Sequence, residues 1–346
     1  MSQRAWRPET LIDLDVAARF AARFASAGPL DGSYLLDEAS RDLVRVVREA
    51  DALVLEETGF EVNTPATCRV MNRREWAEAN ITGMAELMSP LLAKVEDRVA
   101  GGAVGSIVRA GYRPLLGLQL GTVLGIISHR VIGQYDSVRG ITDEVWFVGP
   151  NVVLIEKRLG FVPKDFRLWV ALHELTHRAQ FRGNPWMRNH FLSRVEELIT
   201  SIEIDPRSLL ERLARAFREG DGAGPLAVLD PAQRERFETL QAFMSVLEGH
   251  ANFVMDRLAA GRIPTHPRMK RTLQARTALA GPVARILQRL IGLDLKRLQY
   301  QEGQKFFEAV HARGGDPAVR ACFEPHSLPT LAEVRDPEIW MARVGV

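Results

Sequence analysis

The sequence predicts a mostly α-helical protein with one short β element placed beside a special helix. Three observations carry that expectation. Apolar residues recur at helical spacing through most of the chain. Runs of β-branched and aromatic residues are confined to 143–156, DEVWFVGPNVVLIE. Soon after them, residues 169–182, WVALHELTHRAQFR, form an apolar, helix-like run that holds His173, Glu174 and His177.

The elements follow in order. Val16, Phe20 and Phe24 recur every fourth residue until Gly28-Pro29, which predicts a first helix. Ser33 is placed to cap a second helix that runs to Gly59. Asn72 with Glu75 three residues later is a variant capping box and opens a third helix, to about Ala100. After the bend Gly101-Gly102-Ala103, Gly117, Gly121 and Gly125 fall at i, i+4 and i+8 in an apolar stretch. The stretch from Pro114 to Ser128 is too short to cross a bilayer comfortably, and Arg113 and Arg130 bracket it. Close packing of two helices along the glycine stripe is expected instead of a membrane span.

Val145 to Val148 and Val152 to Ile155 flank Gly149-Pro150-Asn151, the pattern of a hairpin or of two short strands. An edge strand there could receive an extended substrate by strand addition. Pro163 and Asp165 suit the first turn of the next helix, and Gly183-Asn184-Pro185 its end. Further helices are expected from about Trp186 to Ile204 and after Pro206. Residues 220–229 read as a loop, and Asp230-Pro231 starts a long helix reaching Ala260. Two or three more helices complete the chain. The loop Gly133 to Asp136 suggests an N-terminal helical subdomain, 1–136, and a motif-bearing region, 137–346, or the two as one continuous domain.

Composition excludes several classes. A hydrophobic content of 46% and a charged content of 25% are those of an ordinary globular protein. A formal net charge of +2 gives neither a nucleic-acid footprint nor an acidic tail, so no nucleic-acid partner is expected. The short basic stretch Arg268, Lys270, Arg271 and Arg276 reads as a solvated helix face. Cys68 and Cys322 lie far apart with no C-x-x-C spacing and read as free thiols. The first residues show no basic segment followed by an apolar run, which predicts a cytoplasmic protein. No P-loop, G-x-G-x-x-G or G-x-S-x-G motif occurs.

The chemistry concentrates in H-E-x-x-H. On a helix, residues i and i+4 share a face, so His173 and His177 would present two imidazoles to one point, where zinc could bind. Glu174 would flank that point as a general base for metal-activated water. A catalytic zinc takes three protein ligands, and the extended pattern with a third histidine is absent: position 180 is Gln and position 183 is Gly. The third ligand is sought in LEGHANFVMD, 247–256. Glu248 and His250 lie about 200° apart around a helix, so only one of them can face the ion. Glu248 shares its face with small and polar residues and is preferred, with His250 as the alternative. Tyr300 is a candidate donor to an oxyanion.

FRLWVALHELTHRAQF at 166–181, LEGHANFVMD at 247–256 and VGPN at 148–151 resemble the bacterial zincin-like metallopeptidases of the deazaflavin-cofactor-associated family. GQYD at 133–136 and QYQEGQKFF at 299–307 are similar as well, so the resemblance spans about 130 to 310. It implies a mostly helical zincin-like metallopeptidase fold, zinc at His173 and His177, Glu174 as base, and a third ligand from the E-G-H-A segment.

The expected function is therefore that of a zinc-dependent hydrolase, a metallopeptidase acting on a peptide or protein substrate. The alternatives are a noncatalytic, zinc-stabilised binding or regulatory protein on the same scaffold, and a zinc enzyme hydrolysing a non-peptide bond.

Overall fold

The computed structural model describes residues 12–26, 30, 32–99, 103–137, 143–201, 230–278 and 293–346, with the side chains of 91–99, 103–111, 274, 276–278 and 293–301 outside that description. The described chain is mostly helical with one small sheet. In order it forms α1 (Leu14–Phe24), α2 (Tyr34–Thr58), β1 (Thr67–Met71), α3 (Arg73–Val99), α4 (Ala103–Ile127), β2 (Gly133–Tyr135) and β3 (Glu144–Val148). Then follow α5 (Gly149–Leu159), α6 (Pro163–Gly183), α7 (Trp186–Ser201), α8 (Pro231–Ala260), α9 (His266–Ala278), α10 (Leu293–Ala321), α11 (Leu331–Arg335) and α12 (Pro337–Val344). α10 is broken at Gly315, where φ is 65°. The chain divides into two compact units, one of Met1–Arg48 with Ala66–Val170, the other of Glu49–Pro65 with Ala171–Val346.

In the first unit the glycine stripe of α4 meets an alanine stripe of α1. A Cβ at Gly117 would lie 2.3 Å from the Asp13 carbonyl oxygen, and one at Gly121 would lie 2.1 Å from that of Ala17. Only glycine permits this approach. The buried face of α1 is accordingly Ala17, Ala21 and Ala25. The expected first helix forms, with Val16 and Phe20 half-buried and Phe24 exposed beside that face. No described helix is long and apolar enough to cross a membrane. The third helix begins at the expected capping box, with the Asn72 N–H donating to Glu75 Oε2 at 2.8 Å and the Glu75 N–H donating to Asn72 Oδ1 at 2.9 Å.

The sheet runs β1-β3-β2, with β3 parallel to β1 and antiparallel to β2. Three expectations are corrected here. Val152 to Ile155 is not a strand but part of α5, with Pro150 in its first turn and Val152 and Val153 buried. Pro suits a first helical turn because its missing N–H is unneeded there. The strand that does form, β3, is central and paired on both sides, so it offers no edge for strand addition. β2 also occupies Gly133–Tyr135, where a loop was expected. Asn151 ties this region together: its amide donates to the Ser128 and Val131 carbonyls, and its Oδ1 accepts from Arg73 Nε at 2.7 Å.

The second unit holds the motif. α8 starts as expected at Asp230-Pro231, closed by a capping box between Asp230 and Gln233. It crosses α10 at a glycine pair. A Cβ at Gly249 would lie 2.3 Å from the carbonyl carbon of Gly303, and one at Gly303 would lie 2.1 Å from the Ser245 carbonyl oxygen. Phe306, Phe307, Phe323 and Trp340 are fully buried beside this crossing. The remainder of α2 and the loop after it are anchored to α6 by Arg178, itself fully buried, whose guanidinium donates to Asp51 Oδ1 at 2.8 Å and to the Thr64 carbonyl. The expected elements at 206 and 220–229 lie outside the described residues, as does the bend Gly101-Gly102.

Candidate metal centre

α6 begins at Pro163 with Asp165 in its first turn, as its sequence dictates. Leu172, Leu175 and Ala179 bury its inner face, while His173 and His177, four residues apart, stay partly exposed on another. Their Nε2 atoms lie 3.3 Å apart. Glu248 reaches the same point from α8, with Oε2 at 3.5 Å from His173 Nε2 and 3.6 Å from His177 Nε2. Gly249 is pinned against Gly303, and that contact fixes the rotation of α8. Its two neighbours are then sent to opposite flanks, Glu248 toward the histidines and His250 away from them.

The three atoms fit a zinc ion by their chemistry and their spacing. Ligands on a tetrahedral zinc with bonds of about 2.0–2.1 Å stand about 3.3–3.4 Å from one another, close to the 3.3, 3.5 and 3.6 Å found here. Glu248 Oε2 is moreover buried without a hydrogen-bond partner. A buried carboxylate oxygen in that state costs free energy that a cation would recover.

The charges agree. Burial pushes the Glu248 carboxyl up, but the His173 and His177 rings beside it hold it well below the usual carboxylate range. Burial pushes the His177 imidazole down, and the Glu248 carboxylate, with Glu174 contributing, raises it to about 9. The cluster thus favours a positive charge at its centre. Glu174 is buried, one residue along α6 from His173, where its charge reaches His177.

His173, His177 and Glu248 therefore come together, and among the described residues they are the one group with metal-binding geometry. His250 does not join them. It is buried, accepts at Nδ1 from Gln180 Nε2 at 3.0 Å, and packs against Phe323, Phe307 and Phe60. Burial, and secondarily the charge of His177, push its imidazole down to about 3. The Tyr300 side chain lies outside the described residues. Of the single histidines, His129 meets the Phe24 carbonyl, while His266 and His311 meet Asp256 and Asp316. Sequence reasoning missed Gln180, whose Oε1 lies 2.9 Å from His177 Nδ1. Its position three residues after His177, on the same helix face, was the available signal.

The chain was compared with known proteins. The family model of the zincin-like metallopeptidases matches residues 12–341. Among solved structures, the chain is similar to a crystal structure from Chloroflexus aurantiacus, described as that of a candidate hydrolase with a novel fold. The two share 31% identity and a TM-score of 0.69, over 97% of this chain and 99% of that one. No curated protein matches.

Proposed function

The chain belongs to the zincin-like metallopeptidase family, and from that premise we propose that it is a zinc-dependent hydrolase of peptide bonds. His173, His177 and Glu248 hold the metal, and Glu174 is the general base. The observation that carries this reading is the triangle of ligand atoms closed by Glu248 Oε2, a buried oxygen without a hydrogen-bond partner.

Zinc, when bound, supplies a Lewis acid that polarises a carbonyl and brings the pKa of water toward about 7. The protein residues do the rest. The Glu174 carboxylate takes a proton from the attacking water and delivers it to the departing amine, which leaves Glu174 ionised for the next turnover. Glu248, reaching from α8 to the two α6 histidines, would hold the metal with them and offset part of its charge. Partial exposure of His173 and His177 leaves the centre reachable by substrate. A structural zinc site is closed by four protein ligands. Three are grouped here among the described residues, which favours the catalytic reading over a purely stabilising metal.

The test is Glu174→Gln, assayed on a peptide library with small amides alongside. Zinc content and thermal midpoint should stay at the wild-type values while turnover falls by roughly 10²-fold or more. Undiminished turnover would remove Glu174 from the mechanism. Turnover of small amides but not of peptides would move the substrate to another class.

A further inference from the structure

We propose that Gln180 and His250 are positioning residues that set His177 in the one tautomer able to bind metal. The inference rests on the metal site proposed above and concerns how the chain prepares it.

The Leu247 oxygen can only accept, and Gln180 Nε2 lies 2.9 Å from it, so the amide must present its NH2 end there. The opposite end, Oε1, is then the atom 2.9 Å from His177 Nδ1. Because Oε1 can only accept, His177 must carry a proton on Nδ1. When the ring gives up its second proton to bind metal, the proton that leaves is therefore the one on Nε2, whose lone pair then faces the point shared with His173 and Glu248. The second N–H of Gln180 donates to His250 Nδ1 at 3.0 Å, which places the proton of a neutral His250 on Nε2.

Gln180 is fully buried and His250 nearly so, and both amide protons have acceptors. Reversing the amide would set Oε1 against the Leu247 oxygen with no proton between them. It would also direct N–H groups at His177 Nδ1, forcing the imidazole proton onto Nε2 and blocking the metal-binding atom. Leaving buried polar groups unmatched in this way costs free energy, so the reversed state is suppressed. Phe323, Phe307 and Phe60 surround His250 with ring centroids 4.6, 5.1 and 5.9 Å from its own, which holds the ring that receives the Gln180 amide. Gly183 lets Phe60 approach: a Cβ there would stand 2.7 Å from the Phe60 Cβ.

The experiment measures zinc affinity by competition with a chromophoric chelator, for wild type, Gln180→Leu, Gln180→Glu and His250→Phe. Gln180→Leu should bind zinc about 10–100-fold more weakly, the usual cost of losing a partner that orients a ligand. His250→Phe should lose less, because the Leu247 carbonyl still orients the amide. Gln180→Glu, taken up as the neutral acid with its O–H donating to the Leu247 carbonyl, gives Nδ1 an acceptor again and should recover much of the lost affinity, whereas a merely structural role would leave it no better than Gln180→Leu. Nitrogen NMR of the zinc-loaded wild type needs no variant to fold. It should show His177 bound through Nε2 with a proton on Nδ1, and His250 protonated on Nε2. Zinc bound through His177 Nδ1, or equal affinity in wild type and Gln180→Leu, would overturn the inference. Wild-type protein that takes up no zinc would instead sink the metal site itself.

Discussion

Glu156 and Glu248 are both carboxylates buried on helices, and the chain answers them in opposite ways. Glu156, on α5, meets the Arg167 guanidinium in a two-pronged pair, with Nε on Oε1 and Nη2 on Oε2, both at 2.9 Å. The remaining arm of Arg167 donates to Asp42 at 2.8 Å. Each oxygen of Glu156 has a donor. Glu248, by contrast, holds one oxygen against two imidazole nitrogens with no hydrogen bond to it. A closed pair of this kind stabilises one arrangement of helices and has nothing left to bind. An open one invites a cation. Burial alone therefore does not distinguish the two carboxylates, whereas the unanswered oxygen does.

The comparison can be broken at several points. The largest effect is expected from Glu156→Ala, which leaves Nε and Nη2 of the buried Arg167 without an acceptor and should lower stability by about 3–5 kcal/mol in denaturant titration. Replacing Glu156 and Arg167 together by Leu and Met should restore most of that loss, and failure to do so would mean that the pair does more than satisfy itself. Next comes zinc. With the ion at about a thousand times its Kd, wild type should gain about 4 kcal/mol of stability, and Glu248→Ala should gain almost none. A similar gain in both proteins, read from thermal midpoints, would place the bound zinc elsewhere.

The smallest effect concerns Glu333, a second closed carboxylate. It receives the Arg343 guanidinium and both the N–H and the hydroxyl of Thr330. Burial pushes its carboxyl up, but those donors bring it below the ordinary value. A carboxyl lowered in the folded state contributes stability above its unfolded pKa of about 4.3. That contribution fades as pH falls through the lower folded value. Glu333→Gln should cost about 1–2 kcal/mol at neutral pH, and the gap from wild type should close in acid. A gap that stayed constant with pH would show that the charge of Glu333 is irrelevant.

Much of this architecture was legible in the sequence because it depends on local rules. The capping boxes at Asn72 and Asp230, and the proline that opens α6, act within a few residues, and each helix starts where its cap lies. The four-residue spacing of His173 and His177 is likewise a property of one helix. What was not legible depends on partners far along the chain. The run Val152 to Ile155 reads equally as strand or buried helix, and only its packing decides. The spacing of Val16, Phe20 and Phe24 announces α1 as a helix, but which of its residues meet α4 depends on the α4 glycines, which select for the smallest side chains. β2 has only three residues, and β1, as long as β3, lacks its run of buried β-branched and aromatic side chains. Gln180 is an ordinary helix residue until the Leu247 carbonyl, 67 positions away, gives it a direction.

The contact between Gly249 and Gly303 has a consequence for how the site comes into being. His173 and His177 are aligned as soon as α6 forms, but Glu248 faces them only when α8 is held at one rotation, and that rotation is set by α10. The grouping of His173, His177 and Glu248 is thus completed by the C-terminal helices, although none of the three lies there. Metal uptake would report the last stage of assembly, and a chain cut before α10 would keep every ligand in its sequence while losing the ability to gather them.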